Sequence, residues 1–231
     1  MLADAAIAPV AEILSDPARV AMLMALSDGR EVPAGELALA AGVTAPTASA
    51  HLAKLATVGL IGVRREGRHR FYRLVRPELV QAMEALAVLA PEAAPRTHRQ
   101  ARIGRAVRAA RTCYDHLAGQ LGVGLTQALV TRGALRQEGK QFEVTPAGSE
   151  LFEQFGIDLE SVRAHRRGFA PACLDWSERL PHVAGSLGAA LLAALFDRGW
   201  IKRTADSRAV TVTLAGRRGL ERTFGLESAP R

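Results

Sequence analysis

Lysine is nearly missing from this chain, with 3 residues against 27 arginines in 231, an imbalance that reads as genomic base composition rather than function. Cysteine is scarce too. Two residues, Cys113 and Cys173, exclude a disulfide-scaffolded domain, and a cytoplasmic location follows by default. No apolar run approaches the ~18 residues a membrane helix needs, so no membrane partner is expected. The N-terminus carries Asp4 and no basic residue before Arg19, unlike a secretory leader, and its Ile7, Val10, Ala11 and Leu14 repeat at helical spacing. Phosphate-loop and dinucleotide fingerprints, a G-x-S-x-G elbow, HExxH and paired CxxC are all absent. No nucleophile, base and orienting group can be assembled, so an enzyme is not expected.

What is present is positive charge, and its position matters more than its total of +7. Residues 1–95 carry a net −1, residues 96–111 six arginines and no acid, and residues 112–231 a net +2. The excess therefore sits in a connector. Its Arg96, Arg99, Arg102, Arg105, Arg108 and Arg111 recur every third residue, which spirals around an α-helix. The set reads mainly as a solvated linker, with part of it able to reach DNA and part the carboxylates of the C-terminal module as the other reading.

Residues 37–75 hold the most informative pattern. In AGVTAPTASAHLAKLATVGLI, Gly42 and Val43 form a tight turn and Thr44 caps a new helix. Ala48, Leu52, Leu55 and Gly59 form a core-facing stripe, leaving Thr47, Ala50, His51 and Lys54 on the other side. A hairpin from Val63 to Val75 follows, turning at Glu66-Gly67, with Arg64, Arg65, Arg68, Arg70, Arg73 and Arg76 against Glu66 alone. Strand alternation places Arg68, Arg70 and Tyr72 on one face and His69, Phe71 and Arg73 on the other. Together these outline a winged helix, in which one helix enters a DNA major groove and a hairpin meets phosphate. The candidate base-contacting residues are Thr44, Thr47, Ser49, His51 and Lys54, with Arg64, Arg65, Arg68 and Arg70 on the backbone.

Over residues 13–75 the chain resembles the ArsR-type, arsenic-repressor-like winged-helix regulators of bacteria. The resemblance is carried by LSDPARVAMLMAL, by P-T-x-S-x-H-L, by G-L-I and by R-R-E-G-R-x-x-x-Y, with PELVQAMEALAVL following. It implies a cytoplasmic, homodimeric transcriptional repressor bound to a pseudo-palindromic operator in double-stranded DNA. Two differences stand out. Ala45 and Ala50 occupy places where the family pattern is usually polar, which leaves methyl contacts to thymine as one means of readout. Metal-sensing members carry a cysteine pair before the turn or a His/Asp set in the final helix, and EVPAGEL and PELVQAMEAL have neither cysteine nor histidine.

The expected fold is mainly α with small β-hairpins (α+β). Asp16 and Pro17 start the helix Ala18–Leu26, a second helix spans Ala34–Ala41, and Pro77 opens a helix with a seam of Leu79, Met83, Leu86 and Ala90. That seam and the first helix read as a dimer surface. The domains expected are 1–95, winged helix-turn-helix and dimerisation; 96–111, arginine-rich connector helix; and 112–231, a sensing or assembly module. PEAAPRTH marks the linker.

The last module contains an internal repeat. HLAGQLGVGLTQALVTRGALR (116–136) aligns without a gap on HVAGSLGAALLAALFDRGWIK (182–202), matching His116 to His182, Gly122 to Gly188 and Arg132 to Arg198. Each copy continues into a strand pair and a short helix opened by Ala-Gly, so the repeats, ~112–160 and ~173–227, read as a duplicated winged-helix-like module. Its candidate effector residues are Cys113, His116, Cys173, Trp176 and His182. Cys113 and His116, at i and i+3 on an expected helix, share a face, and Cys173, Asp175 and His182 complete one reading as a soft-metal site. A Cys113–Cys173 redox switch is a second reading, and buried structural cysteines a third. The paired histidines equally suit a shared cap or a bond to a backbone carbonyl. Trp176, Trp200, Phe169 and Phe196 can line an organic-effector pocket or fill a core. The signal sensed is thus a small molecule, a metal or a thiol-redox change, and no cofactor is specified. The competing class is an enzyme with thiol or metal chemistry in this half and an autoregulatory winged helix.

Overall fold

A computed structural model describes residues 7–76, 78–91, 98–204 and 207–226. They fall into two compact units that divide between Val80 and Gln81.

In the first unit, α1 (Ile7–Leu14) ends against Arg19, whose guanidinium donates to the carbonyls of Glu12 and Ile13 at 2.9 and 2.8 Å. Carbonyls at a helix C-terminus lack intrahelical donors, and Arg19 supplies them together with Ser15, whose hydroxyl donates to the Glu12 carbonyl at 2.7 Å. Asp16 accepts from the N–H of Arg19 at 2.9 Å and Pro17 fills the first helical position, so α2 (Pro17–Ala25) begins there. After β1 (Val32–Pro33), α3 (Ala34–Ala41) stops at Gly42, whose φ of +67° needs a residue without a Cβ. The Thr44 side chain then caps α4 (Ala45–Thr57). Ala48, Leu52 and Leu55 are buried as the spacing requires, but Gly59 is not the fourth member of the stripe. It is exposed at φ +70° and turns the chain, and Leu60 takes the core position.

The wing is β2 (Ile61–Glu66) and β3 (His69–Leu74), antiparallel with Glu66 opposite His69, and β1 pairs on the other side of β3. The connecting residues are Gly67 and Arg68, not Glu66 and Gly67. Positive φ falls at Gly67; β2 runs one residue further than expected, β3 begins one residue later, and Arg68 sits at the tip instead of on a strand face. Tyr72 and Leu74 point to the core.

Helix α5 (Glu78–Leu89) crosses the division between the units. Leu79 and Met83 are buried within the chain, while Leu86 and Leu89 stay exposed. Pro77, Arg96 and linker residues 92–97 lie outside the described residues.

In the second unit, α6 (His98–Ala109) carries Arg99, Arg102, Arg105 and Arg108 but ends before Arg111, which enters β4 (Arg111–Cys113). The order hairpin, helix, hairpin, helix then occurs twice. First come β4 with β5 (His116–Ala118), α7 (Gly119–Thr131), β6 (Leu135–Glu138) with β7 (Gln141–Val144), and α8 (Pro146–Gln154). After α9 (Leu159–Arg163) come β8 (Ala172–Leu174) with β9 (Pro181–Val183), α10 (Gly185–Asp197), β10 (Ile201–Arg203) with β11 (Val210–Val212), and α11 (Leu214–Phe224). Matching positions make matching bonds. Thr145 and Thr213 accept from the N–H groups of Gly148 and Gly216 at 3.0 and 2.9 Å, and donate to the carbonyls of Gly133 and Gly199 at 2.6 and 2.8 Å. A Cβ on Gly148 or Gly216 would lie 2.0 Å from the carbonyl oxygen of Ala134 or Trp200, so both helices need glycine to approach. Helix α7 packs on β9 and α10 on β5, burying Leu121, Leu125 and Leu129 with Leu187, Leu191 and Leu195 in one core.

One local expectation fails here. Cys113 and His116 do not lie one turn apart on a helix; they face each other across the β4–β5 hairpin. Tyr114 takes positive φ (57°) in the turn, and the helix waits until Gly119, whose N–H is held at 2.6 Å by the Asp175 carboxylate.

Candidate nucleic-acid interface and a buried cysteine–histidine cluster

Burial of Ala48, Leu52 and Leu55 turns the rest of α4 outward. Thr44, Thr47, Ser49 and Lys54 are exposed, together with Ala45 and Ala50. The Thr44 hydroxyl accepts from the N–H of Thr47 at 3.5 Å and lies 2.9 Å from the Thr47 hydroxyl, so the two act as a pair. His51 is different. It is half-buried, with Nδ1 3.9 Å from the Asp16 carboxylate that caps α2. The N–H of Arg19, with help from His51, holds Asp16 below its ordinary pKa. His51 thus touches the scaffold as well as the outer face.

The wing arginines also divide. Arg64 is held by Glu31 and Glu66, each at 2.7 Å, and lies over the Phe71 ring at 4.9 Å. Glu66 is therefore not the sole acid near the wing, because folding brings Glu31 across from the end of β1. Arg65, Arg68 and Arg70 are exposed, and Arg65 pairs with Arg70 directly across the ladder. Like charges facing each other in a ladder repel, and an anion laid against them relieves that repulsion.

In the second unit the structure brings together Cys113, His116, Cys173 and His182, one potential ligand atom from each lying within 4.8 Å of all the others. Each hairpin contributes one cross-strand pair, Cys113 opposite His116 and Cys173 opposite His182. The imidazole rings lie 5.1 Å apart. Neither histidine bonds a backbone carbonyl: Nε2 of His116 and both ring nitrogens of His182 are buried without a hydrogen-bond partner. Beside each ring stands a carboxylate, with Asp115 3.6 Å from Nδ1 of His116 and Asp175 3.6 Å from Nδ1 of His182. The neighbouring Cys173 thiol and burial push Cys113 up to about 11, and burial lowers His182. Cys173 is only half-buried.

Sequence reasoning missed Glu84 and Arg208 in the support beneath this cluster. Arg111 follows the second reading of the connector, in which part of it reaches carboxylates of the C-terminal module: it is fully buried and meets Asp175 at 3.0 Å and Glu84 at 3.3 Å, and Arg208 meets Glu84 at 2.7 Å. Burial opposes the Asp175 charge, but Arg111 and the Gly119 N–H hold its carboxyl well below the usual range. A signal for the aspartates was present: Cys113-Tyr114-Asp115 and Cys173-Leu174-Asp175 share a C-x-D spacing that the gapless alignment at 66 residues conceals, because the second hairpin has a longer turn. The four aromatics each find separate partners. Trp176 lies under Arg108 and Arg111, Trp200 against Phe155 and Phe224, Phe169 under Arg163, and Phe196 under Arg203. Trp200 also lines an open groove, beside Arg132, Glu150, Arg198 and Arg222.

Residues 16–62 match the family described as bacterial regulatory protein, arsR family. The HTH-type transcriptional regulator YdfF of Bacillus subtilis (strain 168) is 44% identical over 221 residues, covering 96% of this chain and 98% of that protein. Among solved structures, the transcriptional repressor BigR from Xylella fastidiosa is 31% identical, covering 38% of this chain and 88% of its own with a TM-score of 0.35. The homodimeric winged helix-turn-helix DNA-binding domain of Mb0332 from Mycobacterium bovis is 32% identical, with coverages of 40% and 84% and a TM-score of 0.34.

Proposed function

The chain belongs to the arsR family of bacterial regulatory proteins, and on that premise we propose that this HTH-type transcriptional regulator is a homodimeric repressor reading a pseudo-palindromic operator. One observation carries the reading: the exposed face of α4 presents Thr44, Thr47, Ser49 and Lys54, and the neighbouring wing presents Arg65, Arg68 and Arg70. The helix meets bases, with Ala45 and Ala50 offering methyl contacts to thymine. The wing arginines meet phosphate and release counterions. Arg64 belongs to the wing's internal bracing and adds less to DNA affinity than its neighbours. Two such helices reach successive major-groove faces about 34 Å apart when the protein is paired. Ile7 and Val10 on α1 with Leu86 and Leu89 on α5 are exposed apolar positions suited to that pairing. Residues 112–231, read as a duplicated winged-helix-like module, act in the cytoplasm as the input side, where a small molecule, a metal or a thiol-redox change favours one of two dimer states.

Selection of binding sites from a random library, followed by mobility-shift titration at several salt concentrations, tests the proposal. A two-fold symmetric site is expected. Arg65→Ala and Arg68→Ala each lower the salt slope by about one unit. Thr47→Ala changes base preference at one position by about 1–3 kcal/mol. An asymmetric or sequence-independent selection, with slopes unchanged by both arginine variants, overturns it.

A further inference from the structure

We propose that Cys113, His116, Cys173 and His182 bind one zinc ion, which joins the β4–β5 hairpin to the β8–β9 hairpin. The donor set is the first argument. Two thiolates and two imidazoles suit a borderline-soft, tetrahedral ion, and the two thiolates cancel its charge inside the protein. Bonds of about 2.3 Å to sulfur and 2.0 Å to nitrogen give donor–donor edges of about 3.3–3.8 Å. The four donors already lie within 4.8 Å of one another, so small side-chain rotations complete the set.

The second argument is the unpartnered nitrogen. Nε2 of both His116 and His182 is buried with no hydrogen-bond partner, and buried polar atoms are seldom left in that state. A Cys113–Cys173 disulfide consumes the thiols and leaves those nitrogens stranded, whereas a metal satisfies all four groups. The third argument is the surroundings. Asp115 and Asp175 stand beside the Nδ1 atoms, which places them to accept the Nδ1 protons and turn both Nε2 atoms to the ion, the carboxylate–histidine–metal arrangement. Arg167 in turn pairs with Asp115, and Arg111 with Asp175.

Four protein ligands leave no open coordination position, so the ion holds structure and does not catalyse. Each hairpin supplies only two ligands, and neither binds such an ion tightly alone. Metal binding is therefore coupled to the docking of one hairpin on the other.

The full chain, purified without chelator, should retain one zinc by elemental analysis, with both thiols unreactive toward Ellman's reagent until the metal is removed. After stripping, Co2+ should bind one per chain with the strong visible absorption of a tetrahedral ion and a thiolate charge-transfer band, and Zn2+ should displace it. Cys173→Ser, at the half-buried ligand, should weaken the charge-transfer band and lower Co2+ affinity at least ten-fold. Should that variant fail to fold, Asp115→Asn keeps all four ligands and should still bind one Co2+ with affinity reduced about ten-fold or more. These readings need no DNA, so they stand or fall apart from the operator reading. Chains that carry no zinc and give only the weak spectrum of six-coordinate cobalt overturn the proposal. So does a Cys113–Cys173 disulfide in protein prepared without reductant, or one bound metal retained with both Cys173 and His182 replaced.

Discussion

In the first unit Thr44, Thr47, Ser49 and Lys54 stand on the exposed side of a helix whose opposite side makes the core, whereas in the second Arg111, Asp175, His116 and His182 are buried. Polar groups left in water cost the fold almost nothing, so residues of the first kind can vary without a penalty in the core. Polar groups taken out of water must satisfy one another, and removing one member strands the rest. The two units therefore respond differently to substitution.

The comparison is tested most sharply at Arg111. Arg111→Ala leaves Glu84 and Asp175 buried with half of their countercharge, a loss of about 3–5 kcal/mol. Both tryptophans, Trp176 and Trp200, lie in the second unit, so urea unfolding followed by fluorescence reads this loss directly. A shift below about 1 kcal/mol breaks the contrast. Next come the equivalent glycines of the two copies. A Cβ on Gly122 falls 2.4 Å from the Leu117 carbonyl oxygen, and one on Gly188 falls 2.5 Å from that of Val183. Gly122→Ala and Gly188→Ala should each destabilise by about 1–3 kcal/mol. Equal shifts in fluorescence-detected unfolding sharpen the view that the copies are interchangeable, and a neutral variant removes that copy from it.

Smaller effects belong to the first unit. Asp16→Ala removes the α2 cap and should cost about 1 kcal/mol, seen by circular dichroism with little change in tryptophan signal. Because the Asp16 pKa is lowered on folding, its contribution is present above the ordinary value of 3.8 and fades as pH falls through the lower folded value. A wild-type advantage over Asp16→Ala that persists after full protonation would show that charge is not its source. Least of all, Arg65→Ala and Arg68→Ala should change stability by under about 0.5 kcal/mol by urea titration while weakening DNA binding on every sequence. A large loss of stability in either variant would mean that the wing, like the second unit, needs its arginines to fold.

Legibility followed the same division. The turn at Gly42, the cap at Thr44 and the stripe of Ala48, Leu52 and Leu55 could be read because each depends on residues a few positions apart. Errors there were of one residue, as at the Gly67–Arg68 turn. In the second unit the repeat at 66 residues was visible, but the strand–turn–strand at Cys113–His116 read as helix. Its hydrogen bonds join the ends of a three-residue ladder, and its neighbour Gly119 is fastened by Asp175 from far along the chain.

The amino-acid order alone determined the reading helix, the wing and the twofold recurrence of glycines, because capping, side-chain periodicity and left-handed turns are local physics. Only the tertiary structure decided that Arg64 braces against Glu31, that Arg111 neutralises Glu84 and Asp175, and that two Cys–His pairs meet. An arginine destined for solvent and one destined for the interior look alike in one dimension. The difference lies in the countercharges and ligands that folding brings within a few ångströms, and those come from residues tens of positions away.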